Sequence, residues 1–130
     1  MKLITRETDY AIRILKAIAE KPGRSAASIE LSKELGIPVA FVRKILQVLA
    51  RKGPLTSTKG KGGGFVLTTP LDKILLVDIM IMFQGPVSLG DCLFGKKLCG
   101  NRASCSLRCI ILELEGTIRE RIKNVTIASL

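Results

Sequence analysis

The sequence predicts a mainly α fold with one small β-hairpin, and three observations carry that prediction. Apolar residues recur at helical spacing in several segments, a Gly-rich stretch at 59–64 lies between two arms of β-branched residues, and one long amphipathic helix closes the chain. With 130 residues, 47% of them hydrophobic, the chain can bury one core, or one small domain with an appended helix. That size excludes two independent enzyme domains.

The first helix is expected from Thr5 to Lys21, where Ala11, Ile14, Leu15, Ile18 and Ala19 fall on one stripe before Pro22-Gly23 ends the segment. Ser25 is expected to cap a second, short helix with Ala27, Leu31 and Leu35 inward and Gly36 as its left-handed C-terminal residue. After the Gly36-Ile37-Pro38 turn, a third helix is expected from Val39 to Lys52. Its inner face is Val42, Ile45, Leu46 and Leu49, and its outer face shows Ala40, Arg43, Lys44 and Gln47.

Two short helices joined by a Gly-containing turn, the second basic on its exposed face, form a helix-turn-helix, whose second helix enters the DNA major groove. Arg43 suits a bidentate contact to guanine O6 and N7, and Lys44 can reach the same acceptors or a phosphate. On an isolated helix such residues are simply the wet face; here the next segment tips the balance. Gly53 stops the helix, and the arms 55–58 and 65–68 flank a tip of Lys59, Gly60, Lys61, Gly62, Gly63 and Gly64. A hairpin after a helix-turn-helix is a wing. Lys59 and Lys61 can lie on phosphates or in the minor groove, while Gly62 and Gly63 let the backbone come close. The glycines lack the spacing of a Walker loop and no helix follows directly, which argues against an NTPase.

Charge agrees with this reading. Of the net +10, residues 1–70 hold 13 Lys and Arg against 5 Asp and Glu, whereas residues 71–130 hold 8 against 6. The basic half is the half with the helix-turn-helix, so a polyanion such as nucleic acid is the expected partner.

Pro70 marks a boundary between a winged helix-turn-helix domain at 1–70 and a second unit at 71–130 that comprises a connecting helix, a cysteine loop and a dimerisation helix. Residues 71–84 are strongly apolar, too short to span a bilayer, and expected to form a helix buried against the reader. Gly85-Pro86 closes it. From Cys105 onward Leu107, Ile111, Leu114, Ile118, Ile122 and Val125 make a seam ~30 Å long at 1.5 Å per residue. That seam either folds back on its own core or pairs with a symmetry mate. Pairing is expected, because readers of this type use two half-sites of a pseudo-palindromic operator.

No run of apolar residues is long enough for a membrane span, and the charged start MKLITRETD lacks the apolar core of a signal peptide, so a cytoplasmic protein is expected. In that compartment the four cysteines, all between Cys92 and Cys109, are expected to be metal ligands or redox thiols, with disulfides the weaker reading. Zinc sites favour two tight pairs, and only Cys105 and Cys109 come close to that pattern. Wider spacing in a Gly-containing loop suits an iron-sulfur cluster, with Lys96, Lys97, Arg102 and Arg108 lowering thiol pKa values and offsetting its negative charge.

The segments MKLITRETDYAIRIL, GIPVAFVRKILQVLARKG and STKGKGGGFVL, together with a cysteine loop before a long helix, resemble the Rrf-two family, the IscR/NsrR-type winged-helix regulators, over the whole chain. The resemblance implies a homodimer with crossed C-terminal helices, DNA binding through the third helix and wing, and in many members an iron-sulfur cluster on three cysteines, which align with Cys92, Cys99 and Cys105. A 4Fe-4S cluster is expected ahead of 2Fe-2S. Where some members place a histidine ligand after the third cysteine, this chain has Ser106-Leu107-Arg108 and no histidine at all. Asp9 matches the acidic fourth ligand that other members take from the second subunit; Cys109, one turn beyond Cys105, and Glu7 are the alternatives. No small-molecule substrate is expected. Two other readings remain at this point: a cluster-free regulator switched by thiol oxidation or a partner protein, and a small iron-sulfur electron carrier, which the recognition helix and wing argue against.

Overall fold

The structure, a computed structural model, describes residues 2–60, 64–90, 100 and 103–130. Five helices and three short strands make up the described residues: α1 (Arg6–Ala19), β1 (Ser25–Ala26), α2 (Ser28–Leu35), α3 (Val39–Lys52), β2 (Leu55–Ser57), β3 (Phe65–Leu67), α4 (Leu76–Gln84) and α5 (Ser106–Ile122). Single 3-10 turns lie at Pro22–Arg24, Leu71–Lys73 and Ile127–Ser129.

α1 starts where Thr5 caps it by accepting from the Thr8 N–H, and it buries Ala11, Ile14, Leu15 and Ile18 completely. Ala17, off the expected stripe, is buried as well. α3 has the expected limits and the expected inner face, with Val42, Ile45, Leu46 and Leu49 at most 1% exposed. Gly36 has φ 65°, the left-handed residue that turns the chain from α2 into α3 at low steric cost.

Two expectations fail between residues 25 and 27. Ser25 does not cap α2; it pairs with Val66 in β1, and Ala27 occupies the cap position with no side-chain bond. Ala27 is exposed, and it is Ala26 that is buried. The reason lies 38 residues away, at Gly64. A Cβ there would sit 2.5 Å from the Ala26 carbonyl oxygen, so only glycine lets the start of β3 come this close to β1. The result is a three-stranded antiparallel sheet of order β1-β3-β2, with Leu55 opposite Leu67 and Ser57 opposite Phe65. Thr58 closes the base of the hairpin loop, its backbone N–H donating to the Gly64 carbonyl at 2.7 Å and its Oγ1 accepting from the Gly64 N–H at 2.9 Å.

The apolar run after Pro70 is shorter as a helix than expected, since Leu71–Lys73 form a 3-10 turn and Leu75 caps α4. Ile74 and Ile79 enter the same core as α1–α3, and so does Ile127 from the C-terminal turn. The N–H of Ile127 donates to Ile74 at 2.8 Å and the N–H of Leu76 donates to Val125 at 2.8 Å, which ties the end of the chain to the start of α4. A second, smaller cluster of Leu76, Met80 and Val87 is covered by Ile4, Ile12, Ile118, Ile122 and Val125. The C-terminal half of the α5 seam thus folds back on its own chain. In the N-terminal half Ile111 is partly buried, but Leu107 and Leu114 are 65 and 50% exposed, and Ile110, outside the expected seam, is 53% exposed beside them.

Candidate nucleic-acid interface and cysteine segment

α3 presents Ala40, Arg43, Lys44 and Gln47 to solvent, all four exposed. Their neighbours set how each side chain lies. Arg43 leans toward α2, with its Nε donating to Ser28 Oγ at 3.4 Å. Lys44 leans the other way, and its Nζ pairs with Glu7 Oε1 of α1 at 2.5 Å. On the same side Phe41, 44% exposed, meets Tyr10 edge-on with ring centroids 6.5 Å apart. The outer face of α3 is therefore braced from both flanking helices. Ser28 and Phe41 had no distinguishing sequence signal, because a serine and a phenylalanine at these positions pass as a polar surface residue and a core residue.

Lys59 stands exposed beside Gly60, whose φ of 105° begins the wing tip. Lys61, Gly62 and Gly63 lie outside the described residues. Behind α3, Lys21 bridges to α2, with Nζ 2.9 Å from Glu30 Oε1 and 2.6 Å from Glu34 Oε2. Hydrogen bonds donated to Glu34 and Glu30 hold the Lys21 ammonium above its ordinary pKa, and the hydrogen bond accepted from Lys21 holds Glu30 below its own.

Of the four cysteines, Cys92 and Cys99 lie outside the described residues. Cys105 caps α5 and is partly buried, Cys109 is exposed one turn later, and both are free thiols. The Cys109 N–H donates to the Cys105 carbonyl at 3.2 Å, so the two side chains leave the same end of the helix. Among the described residues no group of three or more His, Cys, Asp and Glu side chains is gathered as a metal site. Asp9 pairs within its own helix, Oδ2 lying 2.9 Å from Arg13 Nε, and Glu7 is taken by Lys44.

Three further polar residues fix the backbone that leads into the cysteine segment. Gln84, at the end of α4, accepts at Oε1 from the Thr5 N–H (2.9 Å) and the buried Thr8 hydroxyl (2.7 Å), and its Nε2 donates to the Leu3 carbonyl (2.8 Å). Glu115 of α5, only 6% exposed, accepts from the Leu89 N–H at 2.8 Å, and Arg119 donates to the Val87 carbonyl at 3.0 Å. Gln84 had one sequence signal, being the polar residue that ends an apolar run. Glu115 had none, since it resembles any other charge on the wet side of a helix.

A family model described as Rrf2, iron-dependent transcriptional regulator, matches residues 4–130. Protein aau3 of Rhizobium meliloti (strain 1021) is 27% identical over 128 residues, which cover 98% of this chain and 83% of that protein. The structure of CymR (YrzC), the global cysteine regulator of B. subtilis, is similar in fold with a TM-score of 0.77 at 20% identity, covering 99% of this chain and 95% of that one. T. potens IscR gives a TM-score of 0.72 at 16% identity, over 99% of this chain and 85% of its own.

Proposed function

The chain belongs to the Rrf2 family of DNA-binding transcriptional regulators, which are not enzymes, and from that premise we propose a homodimeric regulator that adjusts its grip on duplex DNA to the state of an iron-sulfur cluster. One observation supports this most. Two free thiols stand a helical turn apart at the start of α5, and the same helix end carries the uncovered stripe Leu107, Ile110 and Leu114. Thiolate donors and pairing surface thus share one element, so a change at the thiols reaches the spacing of two readers.

The donor set fits such a group, since thiolates are the soft ligands iron-sulfur clusters take and neither described cysteine is consumed by a disulfide. Cys92, Cys99 and Cys105 are the proposed ligands, with Asp9 of a second chain as the fourth and Cys109 and Glu7 as its competitors. When bound, a cluster of the 4Fe-4S type, or otherwise 2Fe-2S, supplies a centre that oxidants and nitric oxide attack. Asp9 would have to leave Arg13 to serve, which suits a ligand that is easily lost.

Residues 1–70 would read the operator, a pseudo-palindrome in keeping with two-fold symmetry, and residues 71–130 would connect, sense and pair. Arg43 would contact guanine, Ala40, Lys44 and Gln47 would line the groove, and Lys59, Lys61, Gly62 and Gly63 would lie along the flanking backbone. A dimer is favoured because burying each half-exposed leucine or isoleucine of α5 is worth roughly 1 kcal/mol. No described helix is long and apolar enough to cross a membrane, in keeping with a cytoplasmic site of action.

Anaerobic purification with iron and sulfide analysis of wild type, Asp9→Ala and Cys109→Ala tests the sensor. A brown, iron-containing wild type and a colourless Asp9→Ala are expected. A colourless wild type would favour the cluster-free reading, with thiol chemistry or a partner protein as the signal.

A further inference from the structure

We infer that Gln84 and Glu115 are positioning residues of a hydrogen-bonded relay that carries the conformation of residues 85–90, the approach to the cysteine segment, into the DNA reader. The inference deepens the proposed regulation and rests on it for the origin of the signal. The linkage itself rests on bonds among described residues.

The relay has two grips on one short stretch. From α5, Glu115 holds the Leu89 N–H and Arg119 holds the Val87 carbonyl, while Arg119 Nη2 also lies 3.4 Å from Glu115 Oε2. From α4, Gln84 holds the Thr5 N–H, the Thr8 hydroxyl and the Leu3 carbonyl. Only Gly85 and Pro86 separate the two grips, and Gly85 sits at φ 81°, ψ −171°, a conformation that glycine adopts at little cost. Beyond Leu89 the chain runs within three residues to Cys92.

These bonds run beside an apolar contact, since Ile4 packs on the cluster that holds Val87. A cleft of about 170 Å³ lies between the N-terminal segment and the stretch around Ser88, lined by Leu3, Thr5, Gln84 and Leu89. Across this cleft the Gln84 amide bonds the N-terminal backbone at both Leu3 and Thr5. Thr8 is fully buried, so its hydroxyl needs its partners: Thr5 Oγ1 at 3.1 Å and Gln84 Oε1. Past Thr8 the next link is Glu7, whose carboxylate holds Lys44 on the recognition helix. A shift of residues 87–89 that pulls on Gln84 thus moves the first turn of α1, and with it the brace on α3.

Two amides report the relay separately, Leu89 for the Glu115 grip and Thr5 for the Gln84 grip, and hydrogen exchange by NMR on the full chain reads both. Glu115→Met removes the acceptor while keeping helix and volume. The relay expects Leu89 to exchange at least tenfold faster and Thr5, which Glu115 does not touch, to speed up by a clear multiple as well. Glu115→Gln keeps an acceptor for Leu89 and should return Thr5 to near wild-type protection. Arg119→Ala, a milder change should Glu115→Met fold poorly, should also loosen both amides. Loss of protection at Leu89 with Thr5 unchanged would overturn the relay. So would equal loosening of Thr5 in Glu115→Met and Glu115→Gln, which marks general destabilisation. Because the amides are read without any cluster, a failed relay and an iron-free protein are separate results.

Discussion

α3 and α5 are both long amphipathic helices, yet they use their apolar faces in opposite ways. α3 buries Val42, Ile45, Leu46 and Leu49 inside the chain and turns a polar, basic face outward. α5 turns Leu107, Ile110 and Leu114 outward, and the one buried residue of the helix is the charged Glu115. The difference teaches where each helix finds its partner. The first is complete within one chain and turns to solvent the wet face proposed to meet DNA, whereas the second grips its own chain through a polar clasp and through Ile118 and Ile122, and is left with an apolar stripe that a second copy can cover.

The comparison breaks most visibly in the core of the reader. Leu49→Ala, at a site with no exposure, should cost about 2–5 kcal/mol in urea unfolding at an unchanged m-value. A loss under about 1 kcal/mol would mean that α3 is not the closed element described. Leu114→Asp should barely affect the fold but turn a dimer into a monomer in sedimentation velocity, because a carboxylate cannot be buried in an apolar seam without large cost. A variant that stays dimeric would place the interface elsewhere.

Smaller effects sharpen the wet face of α3. Arg43→Ala should weaken a selected operator by about 1–3 kcal/mol and relax its sequence preference, while Lys59→Ala should weaken selected and random duplexes alike, with a shallower salt dependence. Equal losses for both variants on both duplexes would remove Arg43 from base reading. The smallest effect concerns the Lys21 bridge to α2. The folded pKa of Glu30 is depressed, so its contribution to stability is complete above the ordinary value of 4.5 and disappears as pH falls through the folded value. That of Lys21 is raised, so its contribution is complete below 10.5 and disappears as pH rises through its folded value. The thermal midpoints of wild type and Lys21→Met should differ by a constant amount between these limits and converge in acid. A gap that persists in acid would mean that the bridge acts by packing alone.

Much of this molecule is legible in its sequence. The limits of α3, its inner and outer faces and the left-handed Gly36 follow from local rules, because periodicity and backbone sterics act over a few residues. The misread cap at Ser25 shows where such rules stop. A two-residue strand has no period, and its existence depends on the missing side chain of Gly64 far along the sequence. Likewise the apolar seam of α5 contains both the residues that fold back, Ile118 and Ile122, and those that stay outside, Leu107 and Leu114. Hydrophobicity is the same in both groups.

By itself the sequence determined which segments are helical, which half is basic and where the thiols gather, since these depend on residue type and near neighbours. Only the tertiary structure decided that Lys44 is paired with Glu7, that Glu115 is buried and that Gln84 joins two distant segments. Those outcomes follow from the folded path of the backbone, which brings a donor and an acceptor within 3 Å regardless of their separation along the chain.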